Sequence, residues 1–251
     1  MKAIIPCAGQ GSRFFPWSRY TPKEMLPLVN VPAVVFTARE AVYGGCDHVV
    51  FVISKGKEAL ASCVEDVPCT FSYTYQAEPL GLGHAILQAA PIVGDEPFCA
   101  LLPDDIYSPN TALQRLVRVH HETNKAVVAL MPVERSEAHK YGIVDASRAG
   151  GHWRIHNLVE KPTEGIPAEP LAVVGRYVLP GRTFGILEDI EPGHGGEIQL
   201  TDALRVLAQQ GELIGLECPE TRYDIGTPKG WLQANIEFGR KAGLLEANHG
   251  S

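Results

Sequence analysis

The chain has 251 residues, enough for one compact domain burying about 70–75% of the surface its unfolded form exposes. A formal net charge of −7 argues against a nucleic-acid partner gripped by a basic face, so any affinity for phosphate has to come from local geometry. No apolar run approaches the roughly 18–20 residues that cross a bilayer, which excludes a membrane partner by that route.

The amino terminus reaches Gly9 too soon to hold a signal-peptide core. Six scattered cysteines without a Cys-x-x-Cys pair read as small buried hydrophobes in a reducing compartment. A cytoplasmic location is therefore expected.

The first predicted strand, Lys2–Cys7, breaks into Ala8-Gly9-Gln10-Gly11-Ser12-Arg13. Glycine carries no Cβ, so backbone N–H groups of such a loop can approach a ligand closely. Arg13 is followed ten residues later by Lys23, in Pro22-Lys23-Glu24-Met25-Leu26-Pro27. Backbone donors with two fixed cations suit a polyphosphate, whose charge is spread over several oxygens. A Walker A loop is excluded by spacing, and a dinucleotide fingerprint would need its third glycine where Phe14 stands. Gly9 and Gly11 alone would make an ordinary strand-to-loop turn equally well; the cations that follow favour phosphate.

Further along, Ala33–Tyr43 has helical apolar spacing and stops at Gly44-Gly45, Asp47–Ile53 reads as a buried strand, and Lys57–Val64 as a short helix. Thr70–Tyr75 alternates as a strand and Gly83–Ala90 reads as a helix. Between them lies Gln76, whose amide offers a donor and an acceptor, the complement of the imide edge of uracil or thymine. Gly81 and Gly83 there would let backbone come near a flat base. Phe98–Leu102 is a strand ending at Pro103-Asp104-Asp105. A hard cation such as Mg²⁺ takes one or two carboxylates plus phosphate oxygens, so one of this pair is a metal ligand and the other caps a turn. Thr111–Glu122 reads as a helix with His120 and His121 on a solvated face, and Ala126–Pro132 as a strand.

The second half changes character. Tyr141–Ala146, Trp153–Val159 and Leu171–Leu179 are β-like without comparable helices between them, and helices return at Gln199–Gln209 and Lys229–Arg240. Gly142 and Gly175 are mid-strand glycines, which mark bulges or the close approach of a ligand. Glu160 can accept from sugar hydroxyls and Lys161 can meet a phosphate, or the two form a surface ion pair. Asp224 stands ahead of the last helix as a second metal ligand or a loop hydrogen-bonder. The residues Ala247 to Ser251 read as a frayed tail. The pattern predicts a Rossmann-like, doubly wound, mixed but mostly parallel sheet with helices on both faces and a small antiparallel β element, inserted or appended. Ligands of such sheets sit beyond the carboxyl ends of the strands, where Gly9, Gln76 and Asp104 fall.

The segments AGQGSRFFPWSRYTPKEMLPLVNVP, GLGHAIL, LLPDD, YGIVD, VEKP, VVGRYVL and GGEIQLTDAL, in that order from about Lys2 to Gly239, resemble the bacterial UTP–glucose-1-phosphate uridylyltransferases, a branch of the sugar-nucleotide pyrophosphorylases. The resemblance implies a Mg²⁺-dependent nucleotidyltransferase that joins UTP, or dTTP, to a hexose 1-phosphate and releases pyrophosphate. It places Ala8, Gly9, Gln76 and Gly81 around the base, with Gly11 in the same loop, and Arg13 and Lys23 on the triphosphate. Asp104 would bind Mg²⁺, as would Asp224 by similarity to related thymidylyltransferases. Gly142, Glu160 and Gly175 would contact the sugar, and Lys161 its phosphate. It also implies one domain over 1–251, with a nucleotide part to about 132 and a sugar-phosphate part over about 133–240.

Two departures stand out. The stretch before Gln76 is shorter than in the family, where it is helical and helps subunits associate, so a homo-oligomer is allowed but not implied. The connection after Leu130 is trimmed, which bears on sugar preference. Another hexose phosphate, or a non-catalytic sensor of nucleotide or sugar phosphate, is the competing reading.

Overall fold

A computed structural model describes residues 1–193 and 196–245, so the predicted tail lies outside the described residues. The first half supplies β1 (Lys2–Pro6), a short β2–β3 ribbon (Pro27–Leu28, Val31–Pro32), α1 (Ala33–Tyr43), β4 (His48–Ile53), α2 (Leu60–Cys63) and β5 (Thr70–Tyr75). It continues with α3 (Leu82–Leu87), α4 (Ala90–Val93), β6 (Phe98–Leu101), β7 (Asp105–Ser108), α5 (Ala112–Thr123) and β8 (Ala126–Pro132). The second half adds β9 (Gly142–Ala149), β10 (His152–Glu160), β11 (Leu171–Leu179), α6 (Thr183–Asp189), α7 (Leu200–Gln209), β12 (Leu213–Glu217), β13 (Thr221–Asp224) and α8 (Pro228–Lys241).

Nine strands form one sheet in the order β5-β4-β1-β6-β11-β8-β12-β10-β9. β5, β4, β1 and β6 pair in parallel, and β12 pairs in parallel with β8. β11 runs against β6, β8 and β9, and β10 runs against β12 and β9. Following these pairings across the sheet, only β10 and β11 oppose the common direction, which is the mixed, mostly parallel sheet expected. The antiparallel strands are woven into it rather than appended, and the separate antiparallel element is the β7–β13 pair.

Why these segments are strands is visible in their burial. Side chains alternate faces along a strand. Accordingly Ala3, Ile5, Val49, Phe51 and Ile53 enter the core under α1 and α5, while Ile4, Val50 and Val52 enter the opposite core with residues of α3, α6 and α7. Both faces are covered, so the strands read as continuous apolar runs. α8 starts with Thr227 accepting a hydrogen bond from Gly230 N at 3.1 Å and Pro228 in its first turn.

His120 departs from expectation: it is buried and its Nδ1 lies 2.7 Å from the Lys125 carbonyl, closing the end of α5. No described helix is long and apolar enough to cross a membrane.

The sheet opens at one place. β11 pairs with β6 through Arg176–Leu179 but with β9 through Leu171–Ala172, leaving a gap over Val173–Gly175. The residues after β6 meet that gap: Leu102 N donates to the Gly175 carbonyl at 2.9 Å, and Asp105, first residue of β7, lies against Gly175.

Candidate active site

Two adjoining pockets lie at the carboxyl ends of the strands. The first, about 280 Å³, is lined by Ala8, Gly9, Lys23, Gln76, Gly81 and Asp104 among others. The second, about 240 Å³, is lined by Arg13, Asp104, Gly142, Glu160, Gly175 and Asp224 among others. Leu82, Leu102 and Asp104 belong to both, so the two chambers share one wall.

The glycine-rich loop forms the first chamber's edge. Gly11 adopts φ +66°, and a Cβ there would sit 3.2 Å from the Lys23 side chain. Nothing lies within 4 Å of a Cβ built on Gly9, which faces open space. Ser18 Oγ donates to the Gly11 carbonyl at 2.8 Å. Among the described residues, the N–H groups of Ala8 through Ser12 have no partner within the chain. Gln76 is buried, and its Nε2 donates to the Gly81 carbonyl at 3.0 Å and faces His84 Nδ1 at 3.0 Å. The donor half of the amide is thus engaged internally, and only its carbonyl oxygen is left for a base.

Gly81 and Gly83 owe their identity to another neighbour. A Cβ would come 2.7 Å from the Ile198 carbonyl at Gly81 and 2.8 Å from it at Gly83. Gly83 N donates to that carbonyl and Ile198 N to the Leu80 carbonyl. These glycines make room for the segment before α7, though Gly81 still lines the first chamber.

The Asp104-Asp105 pair is sorted by its surroundings. Asp105 is buried; Arg222 Nη2 lies 2.5 Å from its Oδ1. Burial pushes the Asp105 carboxyl above the ordinary range, against the pull of Arg222. Asp104 is partly exposed, faces both chambers and accepts from Lys23 Nζ. Burial alone would lower the Lys23 pKa, but Asp104 and Glu24 overcome it, and the ammonium ends above its usual value.

A Cβ placed on Gly226 would be 3.1 Å from Asp104 Oδ2 and 3.1 Å from Asp224 Oδ1, so the two carboxylates flank Gly226, whose N–H Asp224 Oδ1 accepts at 3.0 Å. No group of three His, Cys, Asp or Glu side chains suited to a metal occurs among the described residues. Two carboxylates and no closed protein cage fit Mg²⁺, which completes its octahedron with phosphate oxygens and water.

In the second chamber Thr201 Oγ1 donates to Glu160 Oε2 at 2.6 Å, and a Cβ on Gly142 would crowd that oxygen at 3.2 Å. Gly175 lies where the β11–β8 register shifts between Val174 and Tyr177, the bulge that a mid-strand glycine marks. A Cβ there would also lie 2.8 Å from Cβ and Cγ of Asp105 and nearer still to its Oδ2, so Asp105 requires the glycine as well. Lys161 lines neither chamber; its half-exposed side chain reaches Glu160 Oε1 at 3.5 Å, and its backbone is left-handed, φ +45°. Arg13 is exposed and without an ion pair among the described residues.

Several supporting residues escaped the sequence reading. Buried Arg176 binds Glu40 through Nε to Oε1 at 3.0 Å and Nη2 to Oε2 at 2.7 Å. It also donates to the carbonyls of Leu102, Gly175 and Asp105, tying the segment that carries Asp104 to β11. Lys57 and Glu24 form a second buried pair beneath the glycine-rich loop. An arginine inside an apolar strand such as Leu171–Leu179 was the one available signal, since charge there needs a partner.

Sheet order and a strand-end site built of cations, carboxylates and glycine-rich backbone are those of a nucleotidyl transferase: the chain belongs to that family, whose model matches residues 2–240. Within it, the chain sorts with the UTP–glucose-1-phosphate uridylyltransferases. It is 36% identical to UTP–glucose-1-phosphate uridylyltransferase 2 of Staphylococcus saprophyticus, over 96% of this chain and 92% of that one. It is 35% identical to the Bacillus subtilis (strain 168) uridylyltransferase, over 94% and 90%. Among solved structures, UDP-glucose pyrophosphorylase complexed with UDP-glucose superposes with TM-score 0.90 and 33% identity, covering 96% of this chain and 98% of that one. The UTP-bound UGPase of Acinetobacter baumannii gives 0.84 and 31%, covering 96% and 93%.

Proposed function

We propose that this chain transfers the uridylyl group of UTP to glucose 1-phosphate, giving UDP-glucose and pyrophosphate. One observation carries the reading: a chamber lined by the glycine-rich loop and Gln76 and a polar chamber meet at a single carboxylate, Asp104. A base stacked in the first and a hexose in the second would bring their phosphates together at that wall.

The roles follow from charge and donor type. The Gln76 carbonyl accepts the imide N–H of uracil, with Ala8, Gly9 and Gly81 around the ring. The unpartnered N–H groups of the loop, Gly11 included, take phosphate oxygens along with Arg13 and Lys23. Gly142, Glu160 and Gly175 form the hexose wall, where Glu160, held by Thr201, accepts sugar hydroxyls. Lys161, kept in a left-handed conformation that residues with side chains seldom adopt, holds the sugar's phosphate. Mg²⁺ held by Asp104 and Asp224 would offset the charge gathering on the triphosphate.

The nucleophile is a phosphate oxygen of glucose 1-phosphate, ionised near neutrality because a monoester's second pKa is about 6. It forms a bond to the α-phosphorus of UTP as the α–β bridge breaks, and the bridging oxygen leaves with pyrophosphate. No general base is needed. Positioning and charge neutralisation carry the rate.

The division near residue 132 is part of the proposal, and residues cross it both ways: Arg13, Leu82, Leu102, Asp104 and Asp105 line the sugar chamber and Glu197 the nucleotide chamber. A cytoplasmic setting is too, and the six free thiols suit a reducing compartment. Pyrophosphate release measured over UTP, dTTP, ATP, CTP and GTP against glucose, galactose and mannose 1-phosphates tests the reading. UTP with glucose 1-phosphate should lead; release with another pair only, or with none, would refute it.

A further inference from the structure

We infer that Lys57 is a positioning residue for the nucleotide: it sets the curvature of the glycine-rich loop so that the loop's N–H groups face the triphosphate. This rests on the UTP reading above. Lys57 lies in the connection after β4, is buried and lines neither chamber. Its Nζ donates to the carbonyls of Cys7 and Gly9, each at 2.6 Å, and to Glu24 Oε1 and Oε2 at 3.1 and 2.9 Å.

The geometry of the peptide explains the consequence. In a planar trans peptide the C=O of one residue and the N–H of the next point in opposite directions. Drawing the Cys7 and Gly9 carbonyls onto one ammonium therefore turns the N–H groups of Ala8 and Gln10 away from it. Those two N–H groups have no partner within the chain among the described residues. An ammonium carries three donors and no acceptor, which suits it to gathering oxygens. Glu24 neutralises the buried charge and, as the neighbour of Lys23, ties the second phosphate cation to the same anchor. One buried pair thus orders both parts of the phosphate grip, Lys57 from outside the chambers and Glu24 from the lining of the first.

The test is the double variant Lys57→Met/Glu24→Leu, since replacing both members of a buried pair by apolar residues is often neutral for stability whereas removing one is not. The KM for UTP and its dissociation constant by calorimetry should rise roughly 10–100-fold, the worth of one or two charge-assisted hydrogen bonds. The KM for glucose 1-phosphate should stay within about twofold, a split that general loosening of the fold would not give. Lys57→Met alone, assayed below its own melting temperature, should show the same split; it leaves the chamber lining intact, whereas Glu24→Leu alters it. Wild-type UTP affinity in either variant overturns the inference. Failure of the wild-type protein to bind UTP at all would instead refute the uridylyl reading.

Discussion

At the residue scale, neighbouring carboxylates have opposite environments and should respond oppositely to mutation. Asp104→Asn removes the partly exposed ligand candidate and should abolish Mg²⁺-dependent turnover while leaving the melting temperature near wild type. Asp105→Asn breaks the buried contact with Arg222 and should lower stability, with the metal requirement kept. A titration of activity against Mg²⁺ alongside thermal melts separates them; unchanged metal dependence in Asp104→Asn would move the ligand elsewhere. Lys161→Ala should depress turnover about 10²–10³-fold, by analogy with loss of an oxyanion donor. Full turnover at saturating glucose 1-phosphate would remove Lys161 from the site. At Gly175 the first new atom meets Asp105, so Gly175→Ala should cost about 1–3 kcal/mol in urea unfolding as an overpacking change.

At the element scale, the site stands on strand ends held together by buried charge. Arg176 joins β11 to α1 through Glu40 and to the segment after β6 through the carbonyls of Leu102 and Asp105. Arg176→Met would leave Glu40 buried and unpaired, a loss of about 3–5 kcal/mol. A change below about 1 kcal/mol in urea unfolding would show that the pair does not hold these elements together. The elements themselves were largely legible. Ala33–Tyr43, Ala126–Pro132 and Leu171–Leu179 appear with the boundaries their patterns predict, because long buried runs and a glycine stop are local signals; Thr70–Tyr75, a half-exposed strand, was found from its alternating run of aromatic and β-forming residues.

β12 was not legible: Leu213-Ile-Gly-Leu-Glu217 is short, and Gly215 interrupts its pattern. A Cβ at Gly215 would come 2.8 Å from Leu130 Cγ, a demand visible only once the strands are packed. β7 and β13 were missed for a similar reason, since each is a four-residue strand defined mainly by the other. In the site, types that announce chemistry (Arg13, Lys23, Asp104, Glu160) could be picked from spacing and context. Lys57, Glu24, Glu40 and Arg176 act through carbonyls and one another across 33 to 136 residues, distances no local pattern encodes.

At the scale of the whole molecule, burial of ionisable groups gives a pH dependence with a definite sign. Burial pushes Cys218 up to about 12 and raises Cys7 well above the ordinary thiol value; Cys99 is raised as well, first by its hydrogen-bond contact with Cys46 and then by burial. Unfolded thiols ionise near about 8.5, so above that pH the unfolded state releases protons that the folded state keeps. Their contribution is fully present below about pH 8.5 and is lost as pH climbs toward the folded values, so the melting temperature should fall between about pH 8.5 and 10.5. A flat profile there would contradict the burial of these thiols. Cys7 beside the glycine-rich loop should likewise resist iodoacetamide at pH 8 until the protein is unfolded.

Two chambers share the wall at Asp104, and the proposed reaction requires that they hold the two anions against each other. A crystal structure of the protein with UDP-glucose and Mg²⁺ tests it most directly. The uracil should lie against Gln76, the glucose between Gly142 and Glu160, and the diphosphate beside Asp104, within reach of Lys23 and Arg13. Sugar nucleotide bound elsewhere, for instance in the separate 500 Å³ cavity beside Trp153, with the Asp104 wall untouched, would contradict the account.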